Sequence, residues 1–354
     1  MDASLKNLRD FTYPELLHEV EALGERPYRA AQIYGWVFHR DAASIDSMTD
    51  ISRALRERLK PEYRIMGIDV LDVKRSEDGT RKFLSSIEDG ARIESVIIPE
   101  EGRLTLCVSS QAGCALGCLF CMTGAAGFTR DLSLSEMAGQ VFAARGLIEE
   151  GERITNIVLM GMGEPLNKYG NVIRFLSVLT DGKGMGFSHN KVTVSTAGLV
   201  PGIKKLGHDT NVNLAVSLNA TTDEVRSRIM PINKKYPIAE LLSALKGYPL
   251  KNKKYITIEY VLIKGINDTA DDARRLIRLL RGVTCKINLI PFNPFPGAAF
   301  ERPDAQAVDV FHGIVYDAGY TVIVRASKGA DIEAACGQLR GRSDVRQAAS
   351  NKNN

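Results

Sequence analysis

Residues 104–121 read LTLCVSSQAGCALGCLFC, an apolar strand-like run, a short polar turn, and then Cys114, Cys118 and Cys121 at C-x3-C-x2-C spacing. A strand over 104–109 would leave the three thiols on the loop at its carboxyl end. The same unit recurs downstream. Strand-like runs at 154–160, 191–195, 212–218, 255–262, 286–291 and 320–325 alternate with helical patterns at 133–150, 168–180, 198–206, 237–247, 269–281 and 303–318. Ser133 with Glu136, and Thr221 with Glu224, have the spacing of capping boxes at helix starts. Strand and helix repeated about six times, with nearly continuous apolar strands, predicts an α/β fold: a parallel sheet covered by helices and curled into a partial (β/α)6 barrel.

The first 90 residues read differently. Apolar positions fall at helical spacing through 16–23, 30–38 and 51–59, followed by strand-like pieces at 66–72 and 81–87. This predicts a small, mainly helical N-terminal accessory domain over 1–90 and a barrel domain over 91–340. The last stretch, 341–354, has almost no large apolar residue and reads as a frayed tail. A length of 354 residues agrees with two domains at ~150 residues each.

With 44% hydrophobic and 25% charged residues and only 13 prolines, the chain has the composition of an ordinary globular protein, which excludes collagen-like and mucin-like classes. No apolar run approaches the ~18 residues of a membrane span, and residues 1–20 lack the apolar core of a secretion signal, so a cytoplasmic protein is expected. The net charge, 46 − 42 = +4, permits an acidic partner without locating it. Basic residues of the N-terminal region (Arg53, Arg56, Arg58, Lys60, Lys74, Arg75, Arg81, Lys82) could face nucleic acid, although a solvated helix face is the plainer reading. Lys234, Lys235, Lys251, Lys253, Lys254, Arg274, Arg275, Arg278 and Arg281 carry the same two readings.

Six cysteines in a reducing compartment argue for metal binding or thiol chemistry rather than a disulfide framework. Three thiols without a second C-x2-C knuckle or an H-x3-H fall one ligand short of an ordinary structural zinc site. Three thiolates suit a [4Fe–4S] cluster whose fourth iron stays open. Gly113 and Gly117 would let the loop wrap such a cluster closely. On these residues, and on Phe120 just before the last cysteine, the chain resembles the radical S-adenosylmethionine (SAM) superfamily. Gly161-Met-Gly-Glu164 follows the next strand, where a carboxylate over the barrel mouth could hold the ammonium of SAM. Ser195, Ser217, Leu218, Asn219 and Asn293 lie at the carboxyl ends of later strands.

The resemblance narrows through CVSSQAGC at 107–114, GMGEPLNKY at 161–169, VSTAGLVPGI at 194–203, AVSLNATTDEVR at 215–226, INLIPFNPFPG at 287–297 and RASKGADIEAACGQL at 325–339. In order, and over nearly the full length, these are similar to the RlmN/Cfr family of RNA methyltransferases, most of all to its RlmN branch. The resemblance implies formation of 2-methyladenosine in 23S ribosomal RNA at the peptidyl transferase centre and in transfer RNA beside the anticodon. It implies two SAM molecules per turnover, one a methyl donor and one a radical source. It implies an external electron donor such as flavodoxin or ferredoxin, no membrane, and a monomer. Alternatives are methylation of adenine C8, as in the Cfr branch, and a zinc-stabilised RNA-binding protein.

Residue roles follow by the same resemblance. Cys114, Cys118 and Cys121 hold the cluster; Gly163, Glu164, Ser195, Ser217, Leu218, Asn219 and Asn293 bind SAM. Cys336, in AACGQL, is methylated, loses hydrogen to the 5′-deoxyadenosyl radical, and its carbon adds to adenine. Cys107 then attacks the Cys336 sulfur to release the product through a transient disulfide, and Glu94 accepts the C2 proton. Without the resemblance, Cys107 reads as core and Glu94 as a strand-face carboxylate. Cys285 has no motif and is expected in the core. Asn219 stands where some relatives carry histidine.

Overall fold

A computed structural model describes residues 5–251 and 254–341. Lys253 and all but the first residue of the 341–354 tail lie outside the described residues. The parallel strands arise where apolar runs are expected: β4 Arg103–Cys107, β5 Asn156–Leu159, β6 Val192–Thr196, β7 Asn213–Ser217, β8 Ile256–Leu262, β9 Cys285–Pro291 and β10 Val322–Val324. Ahead of them run β1 Asp69–Arg75, β2 Arg81–Ser86 and β3 Arg92–Glu100. One ten-stranded sheet results, ordered β10-β9-β8-β7-β6-β5-β4-β3-β2-β1. β4 to β10 pair in parallel, while β1 to β4 form an antiparallel meander.

The helices between parallel strands are α4 Leu134–Arg145, α5 Tyr169–Thr180, α6 Val200–Asp209, α7 Asp223–Ile229, α8 Ile238–Lys246, α9 Ala270–Leu279 and α10 Ala305–Asp317. The Ser133/Glu136 capping box starts α4 as expected: Glu136 Oε2 accepts from the Ser133 amide at 2.9 Å and Ser133 Oγ accepts from the Glu136 amide at 3.2 Å. At α7 the expectation shifts by one residue. Thr222 is the cap, accepting from the Val225 amide, and Thr221 instead donates to Asp272 at 2.8 Å.

The N-terminal helices α1 Tyr13–Ala22, α2 Tyr28–Tyr34 and α3 Arg53–Leu59 pack around Leu16, Ile33, Val37, Phe38 and Leu55. Their module docks on the barrel's outer helices: Asp10 accepts from the Ser135 amide at 2.9 Å, and Arg174 pairs with Glu15 at 2.9 Å. The sheet runs across the boundary placed at residue 90, because β1 and β2, read as part of the small domain, pair into the barrel sheet. Two cations read as able to face nucleic acid are therefore buried instead. Arg81 pairs with Glu152 at 2.8 Å and Lys82 with Glu94 at 3.2 Å. Arg58, Lys60 and Arg75 pair with Glu25, Asp46 and Glu149. Among the described residues no helix is long and apolar enough to cross a membrane.

Candidate active site

The chain leaving β4 forms a two-stranded ribbon, Gln111–Gly113 against Phe128–Asp131, and the cysteines occupy the loop that the ribbon closes. Gly113 is required there. Its φ is +82°, and a Cβ would lie 2.0 Å from the Gly127 carbonyl oxygen. The loop is tied from several sides. Cys114 N–H donates to Gly127 at 2.8 Å, Leu119 N–H to Ile229 at 3.0 Å, and Met122 N–H to Gly337 at 2.7 Å. Burial pushes the Cys114 thiol up to about 11 and raises Cys118 further, the neighbouring thiols adding to both.

One cavity, with about 1020 Å³ of open space, sits at the carboxyl ends of the strands and is lined by Cys114, Cys118, Cys121, Gly163, Glu164, Ser195, Ser217, Asn219, Asn293 and Cys336. Ten of the thirteen sequence-derived site residues therefore meet in one place. Glu94, Cys107 and Leu218 stand behind its wall. The donor set fits a cluster: three thiols share the cavity and would leave one position of a [4Fe–4S] cluster open.

Glu164 enters from the glycine turn after β5. A Cβ on Gly163 would lie 2.5 Å from the Gln111 side chain, so the turn passes only without one. The carboxylate is 3% exposed and accepts from the Ala197 amide at 2.7 Å and the Leu166 amide at 3.1 Å. Burial outweighs these bonds and pushes its pKa up to about 7. No cation pairs with it among the described residues, which leaves a buried carboxylate suited to an incoming ammonium.

Asn219 adopts a left-handed backbone, φ +56°, which asparagine tolerates better than most residues. Its Oδ1 accepts from the Val261 amide at 2.8 Å. Leu218 is core, and its carbonyl accepts from Arg226 at 2.9 Å. Asn293 donates to the Cys336 carbonyl at 3.3 Å and accepts from Ser327, joining the cavity to the C-terminal segment.

Cys336 is open to the cavity. Enclosure by the walls and the nearby Glu259 carboxylate push its thiol up to about 11, with Arg325 pulling the other way. Cys107, at the end of β4, is buried and its thiol is raised by desolvation and then by the charge of Cys336. All six cysteines are free thiols, and no disulfide joins Cys107 to Cys336. Glu94, 3% exposed, does not face the cavity: its Oε2 accepts from the Arg340 amide at 2.7 Å and the Gly341 amide at 3.1 Å, with Lys82 beside it. Cys285 is core, as expected.

Sequence reasoning missed Glu259. It lies on β8 in register with Ser217 on β7 and Asn288 on β9. It lines the cavity, accepts from Asn288 at 3.0 Å, and is pushed up to about 7 by burial. A lone carboxylate inside the apolar run ITIEYVL was the available signal.

Residues 6–65 match the ribosomal RNA large subunit methyltransferase N-terminal domain, and residues 108–280 match the radical SAM superfamily. A dual-specificity RNA methyltransferase RlmN from Geotalea uraniireducens is 49% identical over 96% of this chain and 97% of its own length. The Geobacter sulfurreducens RlmN is 50% identical over 96% and 93%. A crystal structure of a radical SAM methyltransferase from Sphaerobacter thermophilus superposes with a TM-score of 0.89 at 43% identity, covering 95% of this chain and 99% of that one. The superfamily match brings a [4Fe–4S] cluster and SAM as the cofactors of the cavity. With the N-terminal module, the barrel and near full-length identity in agreement, the chain belongs to the RlmN family of radical SAM RNA methyltransferases.

Proposed function

We propose that the chain methylates carbon 2 of adenosine in 23S ribosomal RNA at the peptidyl transferase centre and in transfer RNA beside the anticodon. It would act as a cytoplasmic monomer fed by an external one-electron donor. The observation that carries this reading is that Cys336 shares one cavity with the three loop cysteines and Glu164. Carbon 2 lies between two ring nitrogens and is too electron-poor to attack a methyl donor as a nucleophile. Cluster and SAM, when bound, supply one-electron chemistry able to take hydrogen from an unactivated methyl group.

Cys114, Cys118 and Cys121 would hold the cluster. Gly163, Glu164, Ser195, Ser217, Asn219 and Asn293 would receive SAM, with Glu164 opposite its ammonium and Leu218 shaping the strand end from behind. Cys336 carries the methyl group towards the extruded base, which the open cavity mouth can admit. Cys107, within electrostatic reach of Cys336, takes the sulfur as the product leaves. Glu94 would accept the adenine proton, its Oε2 holding the Arg340 and Gly341 amides of the C-terminal segment.

The test is nucleoside mass spectrometry of ribosomal and transfer RNA treated with the anaerobically reconstituted protein, SAM and a reductant. The expected product is 2-methyladenosine in both RNAs. Finding 8-methyladenosine alone, or zinc in place of iron and sulfide, would overturn the reading.

A further inference from the structure

Arg226, on α7, is the largest fully buried side chain, 0% exposed. Its five donors are all engaged, and every acceptor is neutral. Nε donates to the Leu218 carbonyl at 2.9 Å, and Nη2 to the carbonyls of Ala197 at 2.7 Å and Ser217 at 3.1 Å. Nη1 donates to Asn233 Oδ1 at 2.9 Å and the Tyr236 carbonyl at 3.4 Å. The fold makes room for this group: Gly198 has φ +111°, and a Cβ there would stand 3.1 Å from Nη2.

A buried cation with no carboxylate against it is costly, and carbonyl dipoles offset only part of that cost. Asp223 acts on it from a distance and is linked to it by hydrogen bonds only through Asn233, whose amide donates to the Asp223 carboxylate at 2.9 Å. On its other side α7 meets the cysteine loop: Leu119 N–H donates to the Ile229 carbonyl at 3.0 Å, and Cys118 packs against the apolar group that includes Ile229 and Met230. A cluster held on that loop would supply the negative charge that no carboxylate sets directly against Arg226.

We propose that Arg226 is a positioning residue whose fixed positive charge beneath the cysteine loop sets how readily the cluster accepts its electron, while its fork holds the ends of β6 and β7 in place. This rests on the cluster assignment above. Three thiolates on a [4Fe–4S]2+ core carry a net charge of −1. One electron from an external one-electron reductant makes it −2, the state a nearby cation favours.

The test compares wild type, Arg226→Lys and Arg226→Gln after anaerobic reconstitution. Iron, sulfide and circular dichroism are checked first. Without SAM, the reduced cluster is then followed by electron paramagnetic resonance across a dithionite titration at fixed potentials. At the wild-type midpoint, Arg226→Gln should lower the ratio of reduced to oxidised cluster about tenfold, ~59 mV for a one-electron couple. Arg226→Lys, which keeps the charge, should stay within about twofold of wild type. Equal ratios in wild type and Arg226→Gln, or a fall in Arg226→Lys as large as in Arg226→Gln, would overturn the proposal. Should Arg226→Gln fail to load a cluster, Arg226→Met takes its place as the neutral variant: a tenfold fall supports the charge role and a wild-type ratio rejects it. A wild-type protein that loads no cluster would overturn the cluster assignment, and this proposal with it, a result distinct from equal ratios in loaded variants.

Discussion

Cys336 and Cys107 differ in placement, and the difference fixes what each substitution should do. Cys336→Ala removes the thiol open to the cavity without touching the three loop cysteines, so methylation should cease while iron and sulfide content stays at the wild-type level. Cys107→Ala leaves Cys336, the proposed methyl carrier, intact and removes its proposed buried partner, so a covalent protein–RNA adduct should accumulate, visible as a shifted band on a denaturing gel. Normal turnover by that variant would contradict the resolving role. Gly113→Ala sets a Cβ against the Gly127 carbonyl at a positive φ. Strained backbone of this kind costs about 1–3 kcal/mol before the clash is added. A lowered thermal midpoint and poor cluster loading are expected, measured by calorimetry and iron content.

Within β8, Glu259 makes stability depend on pH in a defined direction. Burial places its folded pKa at about 7, above the ordinary 4.5, with Asn288, Arg325 and Lys286 pulling the other way. The folded state therefore holds a proton between those values that the unfolded chain has lost. Stability of the cofactor-free protein should fall as pH rises from about 4.5 to 7, by up to about 3 kcal/mol. Glu259→Gln, which can still accept from Asn288, should flatten that slope in urea titrations at pH 5 and pH 7. An unchanged slope would mean that Glu259 titrates normally. The sequence signal was weak here because a single carboxylate in an apolar strand does not reveal which face it occupies. Only the pairing of β7, β8 and β9 puts Ser217, Glu259 and Asn288 at one level of the barrel interior.

Across the whole molecule, the C-terminal segment closes the open sheet by crossing from β10 to the β1–β2 hairpin. Asp331 accepts from Ser76 Oγ at 2.5 Å, Asp78 from the Gly329 amide at 3.0 Å, and the Glu333 carbonyl from Lys82 at 3.0 Å. Against desolvation, hydrogen bonds from Thr80, the Gly329 amide and Ser76 hold the Asp78 carboxyl down at about 2. Asp78→Ala combined with Asp331→Ala should raise hydrogen exchange across 326–339 while the barrel strands keep their protection, measured by mass spectrometry. Equal loosening throughout would show that the segment is part of the global core. The hairpin that the sequence reading assigned to the N-terminal module thus anchors the segment that carries Cys336.

Local chemistry alone determined much of this protein. The alternation of apolar runs and capped helices specified a parallel α/β barrel, since burial on both faces demands continuous apolar strands. The spacing of Cys114, Cys118 and Cys121, and the polar residues ending successive strands, placed the cavity at the carboxyl edge. Tertiary structure decided what depends on contacts distant in sequence. It buried Arg81 and Lys82, turned Glu94 away from the cavity to hold Arg340 and Gly341, and brought Glu259 beside Cys336. It also enclosed Arg226 under the ends of β6 and β7. Each outcome rests on which charge finds a partner when water is excluded, and no window of neighbouring residues contains that information.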